Sequence, residues 1–107
     1  MSIYGFAKET DLEQMMKAMM QAEANGTMMY YALARMAKEQ GYDDIVDTFI
    51  EVANQEAVHA GFYATLVGKY PQNFWGLVRV LQKAEAGGEA QIMVLADKVR
   101  AAGCDEA

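Results

Sequence analysis

Three stretches of the chain carry apolar residues at alternating intervals of three and four, and this spacing limits the possible folds more than any other feature of the sequence. In the first stretch the stripe is Met16, Met19, Glu23, Gly26, Tyr30, Leu33 and Ala37. In the second it is Ile45, Phe49, Val52, Glu56, His59, Tyr63 and Leu66, and in the third Val78, Leu81, Glu85, Gly88, Ile92, Leu95 and Val99. Residues three and four apart lie on the same face of an α-helix, so each stripe predicts a helix packed nearly antiparallel to neighbours. The alternating, β-branched segments that announce strands are missing. The fold class is therefore all-α. The first helix is predicted from Thr10, as N-cap, to Gln40, with Gly41 as its C-terminal stop. The second begins at Asp43 or Asp44, where acidic residues favour a helix N-terminus. Gly68-Lys69-Tyr70-Pro71 interrupts it, and the third runs from near Gln72 to just before Gly103.

The third stripe is a copy of the first. A shift of 62 residues places Ala22-Glu23-Ala24 on Ala84-Glu85-Ala86, Gly26 on Gly88, and Leu33-Ala34 on Leu95-Ala96. Gly41, Asp43 and Asp44 fall on Gly103, Asp105 and Glu106 without a gap. An internal repeat of one helix-turn-helix unit explains the match. On that reading the second copy calls for a fourth helix whose equivalents of Glu56 and His59 would lie beyond Ala107. The expectation is a single helical domain over residues 1–107, incomplete at its C-terminal end and completed by a second chain.

Composition narrows the function. The net charge is -6 with no basic cluster, which argues against the phosphate contacts that dominate nucleic-acid affinity. No uncharged apolar run approaches the roughly 18 residues of a membrane span, and the first residues lack the basic and apolar regions of a secretory signal. A cytoplasmic protein without nucleic-acid or membrane partners is expected. One cysteine, Cys104, excludes an internal disulfide and any Cys-x-x-Cys metal site.

The chemistry lies in the polar residues on the apolar stripes. A carboxylate on a packed helical seam has to be neutralised, paired or bound to a cation. Glu56 and His59 form Glu-x-x-His at i, i+3, which turns a carboxylate and an imidazole to one side of a helix. Glu23 reaches the same depth if the first two helices are antiparallel. Carboxylates with imidazole in a bundle core suit iron, and equally manganese or zinc. Di-iron bundles use one Glu from each of two helices and Glu-x-x-His from each of the other two. Half of that set is present in Glu23, Glu56 and His59, and Glu85 would begin the other half.

Three segments carry a family resemblance. They are Ala22-Glu23-Ala24-Asn25-Gly26-Thr27-Met28-Met29-Tyr30-Tyr31-Ala32, then Ala37-Lys38-Glu39-Gln40-Gly41-Tyr42, then Phe49-Ile50-Glu51-Val52-Ala53-Asn54-Gln55-Glu56-Ala57-Val58-His59-Ala60. With the 33-residue interval from Glu23 to Glu56, they resemble the rubrerythrin branch of the ferritin-like superfamily over about Leu12 to Ala107. The resemblance implies a ferritin-like antiparallel bundle with a di-iron centre. Glu23 and Glu56 would be bridging or terminal carboxylates, His59 a nitrogen ligand, and Tyr30 a neighbour of the ligands. Rubrerythrins usually carry a further carboxylate one turn after the third-helix glutamate, where this chain has Gly88 followed by Glu89. They also commonly attach a four-cysteine rubredoxin domain, which these residues lack, so an external redox protein is the expected electron donor. The reaction expected of two adjacent ferrous ions is reduction of hydrogen peroxide or dioxygen.

Two other functions compete with that reading: a ferritin-like iron store or ferroxidase, and a non-catalytic metal-binding helical module. A homodimer or domain-swapped oligomer is expected, because a twofold axis would bring two copies of Glu23, Glu56 and His59 around one centre. The nine methionines are read as adaptable core packing, Phe74 and Trp75 as core or interface groups, and Glu13, Lys17, Lys38 and Glu51 as a solvated face.

Overall fold

A computed structural model describes residues 2–106. It contains α1 (Glu13–Glu39), α2 (Asp43–Leu66) and α3 (Phe74–Ala101), with no strand among the described residues. None of the helices is long and apolar enough to cross a membrane. The chain divides into two compact units, one ending at Tyr70 and the other beginning at Pro71.

In the first unit α1 and α2 form an antiparallel hairpin, because each step along α1 is matched by a step back along α2. Tyr30 stacks on Phe49 at 6.1 Å between ring centroids, Gly26 faces the Glu56 carboxylate, and Glu23 meets His59. The seam is closed by small residues: Ala34 and Ala37 of α1 and Ala53 of α2 are buried. Small side chains let the two helix backbones come close, but they remove little apolar area from water. Leu66 and Val67 are the largest buried residues among those described, and burial of a side chain of that size is worth roughly 1.5–3 kcal/mol. Much of the chain's apolar surface is thus left uncovered by its own hairpin.

The loop before α1 closes the far end of α2. Gly5 N–H donates to Thr65 O and Ala7 N–H to Leu66 O, both at 2.9 Å, satisfying carbonyls that a helix end leaves without partners. The Tyr4 hydroxyl donates to Tyr70 O, and Ala7 is fully buried. This segment also moves the start of α1. Thr10, expected as N-cap, instead uses its hydroxyl to donate to Ala7 O and to accept from Leu12 N–H, a local turn that delays the helix to Glu13.

In the second unit Asn73 caps α3 by accepting from Gly76 N–H, so the helix starts slightly after the expected position. None of α3 is buried. Phe74 and Trp75 pack edge-to-face at 5.0 Å and are largely exposed, as are Leu81, Ile92 and Leu95 of its stripe.

The repeat extends to the hydrogen bonds that end α1 and α3. Gly41 N–H donates to Lys38 O and Tyr42 N–H to Ala37 O. Sixty-two residues later, Gly103 N–H donates to Arg100 O and Cys104 N–H to Val99 O. Both are Schellman caps, and both need a left-handed residue, with φ of 82° at Gly41 and 108° at Gly103. A side chain at Gly41 meets the left-handed penalty of about 1–2 kcal/mol. Gly41→Ala is therefore expected to lower stability by about that amount in urea unfolding without changing the helical content of the folded state.

Candidate metal centre

The structure brings three of the residues singled out in the sequence into one layer of the hairpin. Glu23 reaches that layer from the middle of α1, with its side chain only 15% exposed and its Oε1 lying 3.5 Å from His59 Nδ1. Its other oxygen, Oε2, is buried and has no hydrogen-bond partner. Glu56, half-buried, comes from α2. Its Oε2 lies 3.0 Å from where a Cβ would stand at Gly26, so the glycine three residues after Glu23 leaves room for the second carboxylate. The spacing Glu23-x-x-Gly26 was visible in the sequence, but its use as a seat for Glu56 was not.

The two carboxyl groups interact strongly. Glu56 holds its proton above the ordinary value of 4.5, first because a protonated carboxyl hydrogen-bonds to Glu23, then because of desolvation and of repulsion from the Glu23 charge. His59 opposes this. When both carboxylates are ionised neither oxygen has a hydrogen to donate, which leaves Oε2 of Glu23 orphaned. A proton or a cation between them relieves the same unfavourable pairing of charges.

His59 does not sit in an interior. Its side chain is 60% exposed, contrary to the inward position its stripe suggests, because two helices form a seam and not an enclosed core. Nor do three His, Cys, Asp or Glu side chains converge closely enough to hold an ion among the described residues. Tyr30, expected beside the ligands, is half-buried and packs on Phe49, toward the Gly41 turn. Glu85 stands exposed on α3, in the second unit. Two polar contacts had no sequence signal: the Tyr31 hydroxyl donates to Asn54 Oδ1 across the outer side of the hairpin, and the N-terminal loop docks on the end of α2.

By residue type the donors suit a divalent cation of the iron type, with the side chains as they stand not yet converging on one point. Two carboxylates and an imidazole are present, one carboxylate oxygen is buried without a partner, and carboxylate with imidazole is the usual environment of non-haem iron. In residue type they correspond to half of the donors that two-metal helical bundles use.

The sequence matches the family model for rubrerythrin over residues 13–99. The chain belongs to the rubrerythrin family. That match spans all three helices almost to the end of α3 and includes Glu23, Glu56, His59 and Glu85. Among similar proteins, an uncharacterized protein of Methanocaldococcus jannaschii is 28% identical over 103 residues, covering 96% of this chain and 73% of that protein. Reverse rubrerythrin-1 of Clostridium acetobutylicum is 34% identical over 67 residues, covering 61% of this chain and 37% of that protein. No solved structure matches the chain at a significant level.

Proposed function

We propose that this chain is a non-haem di-iron protein that reduces hydrogen peroxide, with electrons from an external donor protein. The observation that carries the reading is the buried, partnerless Oε2 of Glu23 beside Glu56 and His59, in a chain of the rubrerythrin family. Glu23, Glu56 and His59 would hold the iron. The metal centre, when loaded, supplies two electrons to the O–O bond. The overall change is hydrogen peroxide plus two protons and two electrons to two waters, and the donor protein, oxidised in the process, returns the electrons.

The chain's own residues prepare this chemistry in three ways. The α1–α2 seam brings Glu23 and Glu56 to one layer of the hairpin, from which their side chains would close on a shared cation. Gly26 keeps the Glu56 carboxylate against α1. Glu56 holds its proton more tightly than an ordinary carboxyl, chiefly through Glu23, so metal uptake at acidic pH, where that proton is still bound, should release it.

Anaerobic titration of the metal-free protein with ferrous iron, followed by peroxide addition under a chemical reductant, tests the reading. Saturable iron uptake and peroxide consumption are expected, with His59→Ala weakening iron binding by at least about tenfold. Equal iron binding and equal peroxide consumption by the wild type and His59→Ala would overturn it.

A further inference from the structure

Away from Glu23, Glu56 and His59, basic side chains gather at the end of the hairpin where the N-terminal loop docks on α2. Lys8 of that loop, Lys17 of α1 and Lys69 of the turn after α2 line one cavity of about 510 Å³, together with Glu13 and the apolar Met20 and Val67. All of these residues belong to the unit that ends at Tyr70. That unit is acidic, and its basic side chains are Lys8, Lys17, Arg35, Lys38 and Lys69. Most of its positive charge is thus concentrated in one place.

The fold, and not the sequence, makes this cluster. Gly5 and Ala7 donate their N–H groups to Thr65 O and Leu66 O, which lays the loop against the end of α2. The stem of Lys8 then crosses the following turn, with its Cδ 3.7 Å from where a Cβ would stand at Gly68. Lys69 is the next residue along that turn, and Lys17 reaches the same cavity from the first turns of α1.

Nearby carboxylates do not neutralise the three ammonium groups. Glu13 places Oε1 3.5 Å from Lys17 Nζ, and its Oε2 accepts from Glu9 N–H at 3.2 Å. Its charge is therefore shared between one lysine and the start of α1. Lys8 and Lys69 form no ion pair among the described residues. Lys69 Nζ lies 5.6 Å from the Tyr70 ring centroid, a contact that leaves its positive charge in place. The C-terminal end of α2 attracts cations, but the N-terminal end of α1 beside it has the opposite sign. The two helix ends offset each other, and the lysines set the local potential. Like charges gathered in this way repel, and an anion between them turns the repulsion into attraction.

The chemistry of the cluster selects the anion. Lysine meets phosphate as a compact, rotatable point charge, without the planar fork with which arginine grips a carboxylate. Three such charges from three segments match an anion with several separated oxygens. The volume is larger than one phosphate needs and falls in the range of small-molecule sites, roughly 300–1,000 Å³. We propose that this cavity binds a small anion carrying two or more phosphate groups, with Lys8, Lys17 and Lys69 on its oxygens. The anion ties the N-terminal loop, α1 and the turn after α2 together, and so holds the loop on the end of the hairpin. None of its lining residues is Glu23, Glu56 or His59, so the proposal stands apart from the metal reading.

Isothermal titration calorimetry of the metal-free full chain with inorganic pyrophosphate, at low ionic strength, tests the proposal. Saturation at one pyrophosphate per chain is expected, with tighter binding than inorganic phosphate shows. The thermal midpoint should rise with pyrophosphate concentration, because the ligand binds only the folded chain. Lys8→Ala and Lys69→Ala, with helical content checked by circular dichroism, should each weaken binding by about fivefold, the upper range for an exposed pair of charges. Lys8→Arg should retain most of the affinity, because it keeps the charge. Lys38→Ala, which removes a basic group of α1 outside the cavity, should bind like the wild type. Heat that does not saturate, or affinity for pyrophosphate no greater than for inorganic phosphate, overturns the proposal. So does equal binding by Lys8→Ala, Lys69→Ala and the wild type, or a loss in Lys38→Ala as large as theirs, since either assigns the effect to general charge.

Discussion

Replacing Glu56 by glutamine is expected to stabilise the metal-free protein at pH 7 and to weaken its hold on ferrous iron, two effects of opposite sign from one substitution. The first follows from the pair of carboxyls. Glu56 binds its proton more tightly in the folded chain than in the unfolded one, chiefly through its hydrogen bond to Glu23. Between the ordinary value of 4.5 and the raised one, the folded state therefore carries more protons, and stability falls as pH rises through that interval. Glutamine is neutral throughout and escapes the loss. The thermal midpoint of Glu56→Gln should exceed that of the wild type at pH 7, and the difference should close below pH 4.5, where Glu56 is protonated in both states. With iron the order reverses. The amide is a poor substitute for an ionised carboxylate, and the loss of affinity should exceed the roughly 10- to 100-fold that removal of an outer-shell partner causes. Thermal melts of both proteins, with and without ferrous iron, read both effects. A variant that melts below the wild type without metal at pH 7 would show that Glu23 and Glu56 do not repel each other as the structure implies.

The seam itself provides the second large effect. Ala53 is fully buried where α2 meets α1, and its Cβ leaves no room for a longer side chain. Ala53→Leu should cost about 2–3 kcal/mol by overpacking, measured by urea unfolding. In a hairpin with so few buried large residues, a loss of that size removes much of the net stability. Ala57→Leu, one turn along α2 and exposed, should change stability by about 0.5 kcal/mol or less. If the folded Ala53→Leu protein forces the helices apart, it should also bind ferrous iron more weakly, because Glu23 and Glu56 converge only across that seam. Equal stability of the two leucine variants would mean that α1 and α2 do not pack through Ala53.

Local rules read from the sequence account for the helices and for their C-terminal ends. Gly41 and Gly103 are the stops that the repeat placed in register, and the structure gives them the same cap down to the paired donors and acceptors. Helix starts were harder to read. Thr10 looks like a cap in sequence, yet its hydroxyl serves a turn whose backbone is held by the end of α2, a contact between segments far apart in the chain. Nothing local distinguishes a threonine that caps from one that turns.

The same division holds at the candidate metal centre. Periodicity alone put Glu23, Glu56 and His59 on apolar stripes, because the helical repeat determines which residues share a face. Only tertiary structure decided how far each was enclosed. Packing α1 on α2 through alanines buried one Glu23 oxygen, seated Glu56 in the space left by Gly26, and left His59 exposed. A stripe records that a residue faces the side where apolar neighbours lie. It does not record how many helices cover that side, since burial depends on the number and distance of the packed elements. For this protein the sequence by itself determined the all-α class, the repeat, the helix ends at glycine and the residue types of the half-site. Tertiary structure decided the small-residue seam, the seat for Glu56 and the open face, because those depend on contacts between segments whose separation along the chain carries no information about their approach.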